Sequence, residues 1–180
     1  MVVITIVASC NNPRNKRENS QKVAKQANNE HFETKSSEKE ARFVVETISA
    51  NFADVKFARL AIDKSENDEV REIAGKVEAD HNRLIRELKG FANMRGISIP
   101  LEEDAKARKK LNDLETTKVE AFDKKWCREL TTRHEKMIEQ LEYMWEKSTD
   151  DELKQWINSA LPDLRDDLVK LNTCHEKLSM

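Results

Sequence analysis

A chain of 180 residues that contains only 3 glycines and 3 prolines has very few points at which a helix is forced to stop. The rest of the composition agrees, since Glu, Lys, Arg, Ala and Leu abound and aromatic residues make up only 6%. Such side chains keep most of their rotamer freedom in a helix, whereas sheets draw on β-branched and aromatic ones, so long amphipathic helices are favoured over a β fold. The length fits one compact domain with a tail.

Apolar spacing resolves the chain into four long helices and one short one. The first runs from about Ser37 to Lys64, with Val44, Ile48, Phe52, Val55 and Ile62 on one stripe and Ala50, Asp54, Phe57 and Ala61 beside it. Ser65-Glu66-Asn67-Asp68 is a break made of capping residues. The second runs from about Asp68 to Arg95, on the stripe Val70, Ile73, Val77, His81, Leu84, Leu88 and Phe91. It stops at Gly96, with Pro100 beyond. A long connection from Gly96 to Thr117 carries a short helix from about Glu102 to Leu114. Thr117-Lys118-Val119-Glu120 reads as a capping box for the third helix, which reaches about Lys147 with Trp126, Leu130, His134, Met137, Leu141 and Met144 in register. Acids at Thr149-Asp150-Asp151-Glu152 open the fourth, where Pro162 is expected to kink or split the helix. Two tight hairpins joined by a long connection describe an all-α, ferritin-like four-helix bundle with one crossover; an up-down-up-down bundle is the rival. Met137, Met144, Trp126, Trp145 and Trp156 fall at helical spacing and are expected in the core.

The N-terminus reads differently. Val2 to Ala8 is a short apolar run, and Val7-Ala8-Ser9-Cys10 resembles a bacterial lipobox, in which the cysteine takes a diacylglyceryl group and becomes the mature N-terminus. No basic residue precedes the run and the run is short, features that a start codon placed too far downstream would explain. The other reading is an incidental apolar N-terminus on a cytosolic protein. Asn11 to Ser36 lacks apolar periodicity and is rich in Asn, Lys, Gln, Glu and Ser, which makes it a flexible polar tether with nascent helix around Val23 to Ala27. The expected organisation is a partial signal segment over 1–10, a tether over 11–36 and a helical domain over 37–178. The lipidated Cys10 would anchor the chain to a membrane in the bacterial envelope, facing the periplasm.

Several functions are disfavoured. With 32 basic and 34 acidic residues the net charge is −2, which offers no footprint for nucleic acid. No segment approaches the roughly 20 apolar residues of a spanning helix. The 3 cysteines, Cys10, Cys127 and Cys174, are too few and too dispersed for a zinc site or a disulfide scaffold. Cys127 and Cys174 lie at similar heights on adjacent helices, yet helix phase does not specify a bond, so free buried thiols are expected. No phosphate loop, nucleophile elbow or redox Cys-x-x-Cys is present.

From Phe43 to Leu171 the chain resembles a bacterial family of unknown function whose members are described as exported or outer-membrane proteins with a ferritin-like helical fold. The segments that carry the resemblance are Phe57-Ala-Arg-Leu-Ala-Ile-Asp63, Glu69-Val-Arg-Glu-Ile-Ala74, Ala79-Asp-His81, Ala121-Phe-Asp123 and Leu161-Pro-Asp-Leu-Arg165. The resemblance implies the fold and an exported location, and no activity. This chain departs from the family at interior polar positions. It has Asp54 where Glu is usual, Arg133-His134 where Asp-His is usual, and Asp167 where a His is usual.

Those positions form the candidate site. His81 and His134 interrupt apolar stripes, and Asp54 and Asp167 flank the stripes of the first and fourth helices. At about 1.5 Å per residue, His81 lies roughly 20 Å and Asp54 roughly 15 Å below the first hairpin turn, so all four fall near mid-height. Glu78-x-x-His81 supplies one Glu-x-x-His pair, with Asp80 beside it. A dinuclear site of the ferritin type needs a second such pair, and the third helix has Thr131-x-x-His134, with the positive Arg133 adjacent. Two readings follow: buried hydrogen-bonded pairs that fix helix register, or a metal site for iron, manganese or zinc drawn from Asp54, Glu78, Asp80, His81, His134 and Asp167. The leading expectation for function is a non-enzymatic, lipid-anchored envelope bundle that binds an envelope partner or lends structural or stress support. A metal-binding ferritin-like protein is the alternative, and a bundle that binds a small apolar ligand is a third.

Overall fold

The computed structural model describes residues 20–180, so the apolar run and Cys10 lie outside the described residues. Among the described residues six helices are present: α1 Ser20–His31, α2 Lys35–Lys64, α3 Asp68–Met94, α4 Ala105–Glu115, α5 Val119–Lys147 and α6 Asp151–Lys177. Side-chain caps set most of the starts. Thr34 accepts from the Ser37 amide, Asn67 from Glu69, Asp104 from Ala107, and Asp150 from both Glu152 and Leu153. Gly96, at φ 65°, closes α3 in the left-handed region that glycine adopts at no cost.

Four expectations change. The tether gives way at Ser20 to α1, which packs antiparallel against α2. Ala24 is buried, Lys25 pairs with Glu46 at 2.6 Å, and the Asn28 amide donates to the Ser98 carbonyl at 2.9 Å while accepting from the Ser98 N–H at 2.7 Å. A polar amide satisfying a loop backbone leaves no apolar periodicity to read. The capping box at Thr117 does not form. Helix α5 has Lys118 at its N-cap with no side-chain bond, and the Thr117 hydroxyl donates instead to the Asp113 carbonyl at 2.9 Å. Helix α6 is not split at Pro162, because a proline costs one backbone bond and the packing around Leu161 and Leu164 holds the turn. Trp145 is 42% exposed, its ring lying against the Lys154 ammonium at 5.3 Å rather than in the core.

Contacts between helix ends settle the topology. The C-terminal part of α2 meets the N-terminal part of α5, where the Trp126 indole donates to the Phe57 carbonyl at 2.8 Å. Its N-terminal part meets the end of α5, where Ser148 donates to Glu40. Helices α3 and α6 are likewise antiparallel, with Glu69 on Lys177 at one end and Arg95 on Glu152 at the other. The order around the bundle is α2–α3–α6–α5. Two hairpins are therefore joined by one crossover, the ferritin-like arrangement, and α4 rides up the outside of α2 within it, its ends fixed by Ser49 on the Glu102 carbonyl and Lys64 on that of Glu115. Among the described residues no helix is long and apolar enough to cross a membrane.

The core is split in two. One half gathers Val44, Ile48, Leu84, Leu88, Leu141, Ile157 and Leu164; the other gathers Phe57, Val70, Val77, Phe122, Trp126, Leu130 and Leu171. Between them, each of the four bundle helices contributes a fully buried polar side chain: Asp54, His81, His134 and Asp167. The sequence expectation of free thiols is also corrected, because Cys127 on α5 and Cys174 on α6 are joined by a disulfide with Cα atoms 6.3 Å apart. Replacing both cysteines by serine is expected to lower the unfolding free energy by about 2–4 kcal/mol, given the 47-residue separation they close. A urea titration followed by circular dichroism measures this, and an unchanged midpoint would show that the crosslink contributes nothing.

Candidate functional site

The polar layer exists because helical periodicity carries one polar residue into each apolar stripe. His81 follows Val77 by one turn, His134 follows Leu130, and Asp167 precedes Leu171. Burial makes an unpartnered polar atom costly, and where the ring nitrogens find partners those partners define the proton positions. The Asn51 amide nitrogen lies 2.7 Å from the Thr47 carbonyl, which can only accept, so the Asn51 oxygen must face His81 Nδ1 at 2.8 Å. His81 Nδ1 therefore carries a proton and donates it. His134 Nδ1 donates to the Leu130 carbonyl at 2.9 Å. In both neutral rings Nε2 is left as an acceptor, and the two Nε2 atoms face each other at 3.2 Å. Two lone pairs at that distance repel.

Asp167 sits beside them, one carboxylate oxygen 3.9 Å from His134 Nε2. That oxygen, Oδ2, is buried without a hydrogen-bond partner among the described residues, while Oδ1 accepts from the Lys76 ammonium at 2.6 Å. His81, His134 and Asp167 offer ligand atoms within 4.8 Å of one another. Asp54 lies behind His81, with Oδ2 3.8 Å from Nδ1, and the Arg133 guanidinium binds its other oxygen and donates to the Ala50 carbonyl at 3.1 Å. The layer thus reads across the bundle as Arg133, Asp54, His81, His134, Asp167, Lys76.

Electrostatics follow from this order. Burial pushes the His81 pKa down to about 3, against the pull of Asp54. Burial would raise Asp54, but the Arg133 guanidinium and the two imidazoles outweigh it and hold the carboxyl below its ordinary value. At Asp167 burial wins over the Lys76 ammonium and lifts the carboxyl above the usual range.

Of the residues singled out from sequence, the structure brings together His81, His134 and Asp167, and sets Asp54 one shell back. Glu78 turns to the outside of the α2–α3 seam, bonded to Arg59 at 2.6 Å. Asp80 turns toward the α3–α6 seam, bonded to Lys76 at 2.7 Å. The Glu78-x-x-His81 spacing is therefore no ligand pair. Asn51 and Lys76 were not anticipated. Asn51 had a signal, as a polar residue one turn before Val55 on a buried face, whereas Lys76 had none, because its long stem carries the charge away from its own Cα.

Fold and site together define a class: crossover helical bundles with a histidine–carboxylate layer at mid-height. Residues 22–173 match the family described as "Domain of unknown function (DUF4142)", and the chain belongs to that family. No curated protein matches it. Among solved structures the chain is similar to a DUF305 fragment from Deinococcus radiodurans, at 16% identity and a TM-score of 0.67, over 77% of this chain and 95% of that one. At that identity the likeness concerns the fold alone.

The depressed His81 pKa carries a pH dependence. Between the ordinary value of 6.5 and about 3 the unfolded chain binds a proton that folded His81 refuses. Stability should accordingly fall as pH drops through that window, by up to about 1.4 kcal/mol per pH unit. Unfolding midpoints measured from pH 7 to 4 should flatten in His81→Gln relative to the parent chain. Parallel profiles would assign the acid sensitivity to other groups.

Proposed function

We propose that this bundle binds a single divalent transition-metal ion between His81, His134 and Asp167. The observation that carries the reading is the pair of opposed Nε2 lone pairs, 3.2 Å apart, with a buried and unpartnered carboxylate oxygen beside them. A cation between the rings converts their repulsion into attraction. Two imidazole nitrogens on a tetrahedral ion with bonds of about 2.05 Å stand about 3.3 Å apart, close to the observed separation. Each imidazole is also anchored through its other nitrogen: His81 by Asn51 and His134 by the Leu130 carbonyl. Anchoring of that kind is what orients metal ligands. A proton carried on one Nε2 and donated to the other would serve the same electrostatic end, and it would leave the dialysed chain free of metal.

Two nitrogens and one oxygen suit zinc better than manganese, which prefers oxygen ligands. With Glu78 and Asp80 turned elsewhere, the layer supports one ion rather than a ferritin-type pair. Three protein ligands leave one position for a small ligand.

The reading includes a location. The lipobox-like Val7-Ala8-Ser9-Cys10 supports an envelope protein held to a membrane by lipid on Cys10. The Cys127–Cys174 disulfide supports it independently, since such bonds persist in oxidising compartments.

The full chain dialysed against zinc is expected to retain about one ion by elemental analysis, and Asp167→Asn to weaken binding by at least about a hundredfold, more than an outer-shell change costs. A parent chain that comes through dialysis free of metal would sink the proposal. For the location, the protein expressed from its native locus should partition into detergent, and Cys10→Ser should move it to the aqueous phase. Equal partitioning of the two would remove the anchor.

A further inference from the structure

The polar layer has two ends that approach solvent, and they are built differently. At one, Arg133 is fixed on three sides: it binds Asp54, donates to the Ala50 carbonyl at 3.1 Å, and lies against the Phe57 ring at 5.0 Å, with its side chain only 15% exposed. At the other, Lys76 is 31% exposed and is held only through its ammonium, by carboxylates. Its ammonium lies 2.6 Å from Asp167, 2.7 Å from Asp80 and 3.3 Å from Asp166. Asp166 is half exposed and shared with Lys170 at 2.8 Å. Lys76 also stands on the wall of a cleft of about 260 Å³ on the α3–α6 seam, beside Glu69, Glu72 and Val169.

A point charge surrounded by three carboxylates occupies the position an incoming cation would take. Behind it the unpartnered Asp167 Oδ2 points inward toward His134, not outward toward the seam. One carboxylate therefore faces both ways, with its outer oxygen on a lysine and its inner oxygen on the imidazoles. We infer that Lys76 is the specificity-setting gate of this site: a tethered cation that competes with the metal for Asp167 and must swing into the cleft for an ion to enter along the α3–α6 seam. The inference rests on the metal reading above. An entering ion meets Asp80 and Asp166 first, then Asp167, then the two histidines. Lysine offsets part of the negative charge of Asp80, Asp166 and Asp167, so the site in the parent chain draws a hard cation less than the bare carboxylates would. Only an ion that gains from the imidazole nitrogens, and not a hard cation drawn by carboxylate alone, outcompetes the tether.

Cobalt(II) is a suitable probe, because tetrahedral nitrogen–oxygen coordination makes it coloured. The full chain, Lys76→Gln and Lys76→Arg would be mixed with Co(II) in a stopped-flow instrument, and dissociation constants for Co(II) and Mg(II) measured at equilibrium. Removal of the tether in Lys76→Gln is expected to speed Co(II) association and tighten its binding by about tenfold or more, and to make Mg(II) binding measurable. Lys76→Arg, which restores the charge, should return both to parent values or below. A merely structural lysine would alter thermal stability without moving the association rate or the Mg(II) constant. Lys76→Met keeps the stem and gives the same readout if the glutamine variant does not fold. Binding of Co(II) to the parent and Lys76→Gln with equal rates and constants would overturn the gate and leave the metal site standing. Absence of binding in every variant would overturn both.

Discussion

Two nitrogen lone pairs held face to face in the middle of a protein are the constraint around which this bundle is arranged. Neither ring can turn away. His81 is held by an asparagine whose own orientation is dictated by a carbonyl, and His134 by the carbonyl one turn behind it. Neighbouring side chains shut out water, which would otherwise bridge the rings, since both residues are at most 1% exposed. A contact that is unfavourable between neutral rings is thus stabilised by its surroundings, and burying such groups without partners costs free energy of the order of a whole mutation.

The layer is nearly symmetric. Each hairpin contributes one histidine and one aspartate, and each aspartate is met from outside by a cation: Arg133 on Asp54, Lys76 on Asp167. Charges in the interior are therefore compensated in pairs, which is the condition under which a buried ion pair is tolerated. Sliding any one helix by a turn, about 5.4 Å, would break every link that helix makes in the row. The two roles read from the sequence, fixing register and holding a metal, are in this sense compatible, because the His81–Asn51 bond that ties α3 to α2 is also the one that leaves His81 Nε2 facing His134.

Much of the fold was legible because it is written in a period of 3.6. The stripe of α3 from Val70 to Phe91 is buried at every position named, including His81. The breaks at Ser65–Asn67 and Gly96 fall where capping and left-handed residues place them. The crossover followed from the length of the connection between hairpins. What escaped was whatever depends on direction rather than spacing. Glu78 stands three residues before His81 and only about 60° from it around the helix, yet that offset takes its carboxylate to the α2–α3 seam, where Arg59 binds it. Helix α1 escaped because Asn28 holds it by amide bonds, and Lys76 because a flexible stem delivers its charge far from its backbone. The disulfide escaped because pairing needs the azimuth of two helices together.

That azimuth carries a further consequence. Cys127 stands seven residues before His134, and Cys174 seven after Asp167. Over a heptad a helix comes back to the same side within about 20°. The crosslink consequently acts as a rotational lock, setting the direction in which two of the three inward-facing side chains leave their helices, two turns away. A copy of this chain kept in a reducing compartment would have the same helices and the same side chains without that lock. The sharpness of the central geometry then depends on the oxidation state of two sulfur atoms that lie outside it.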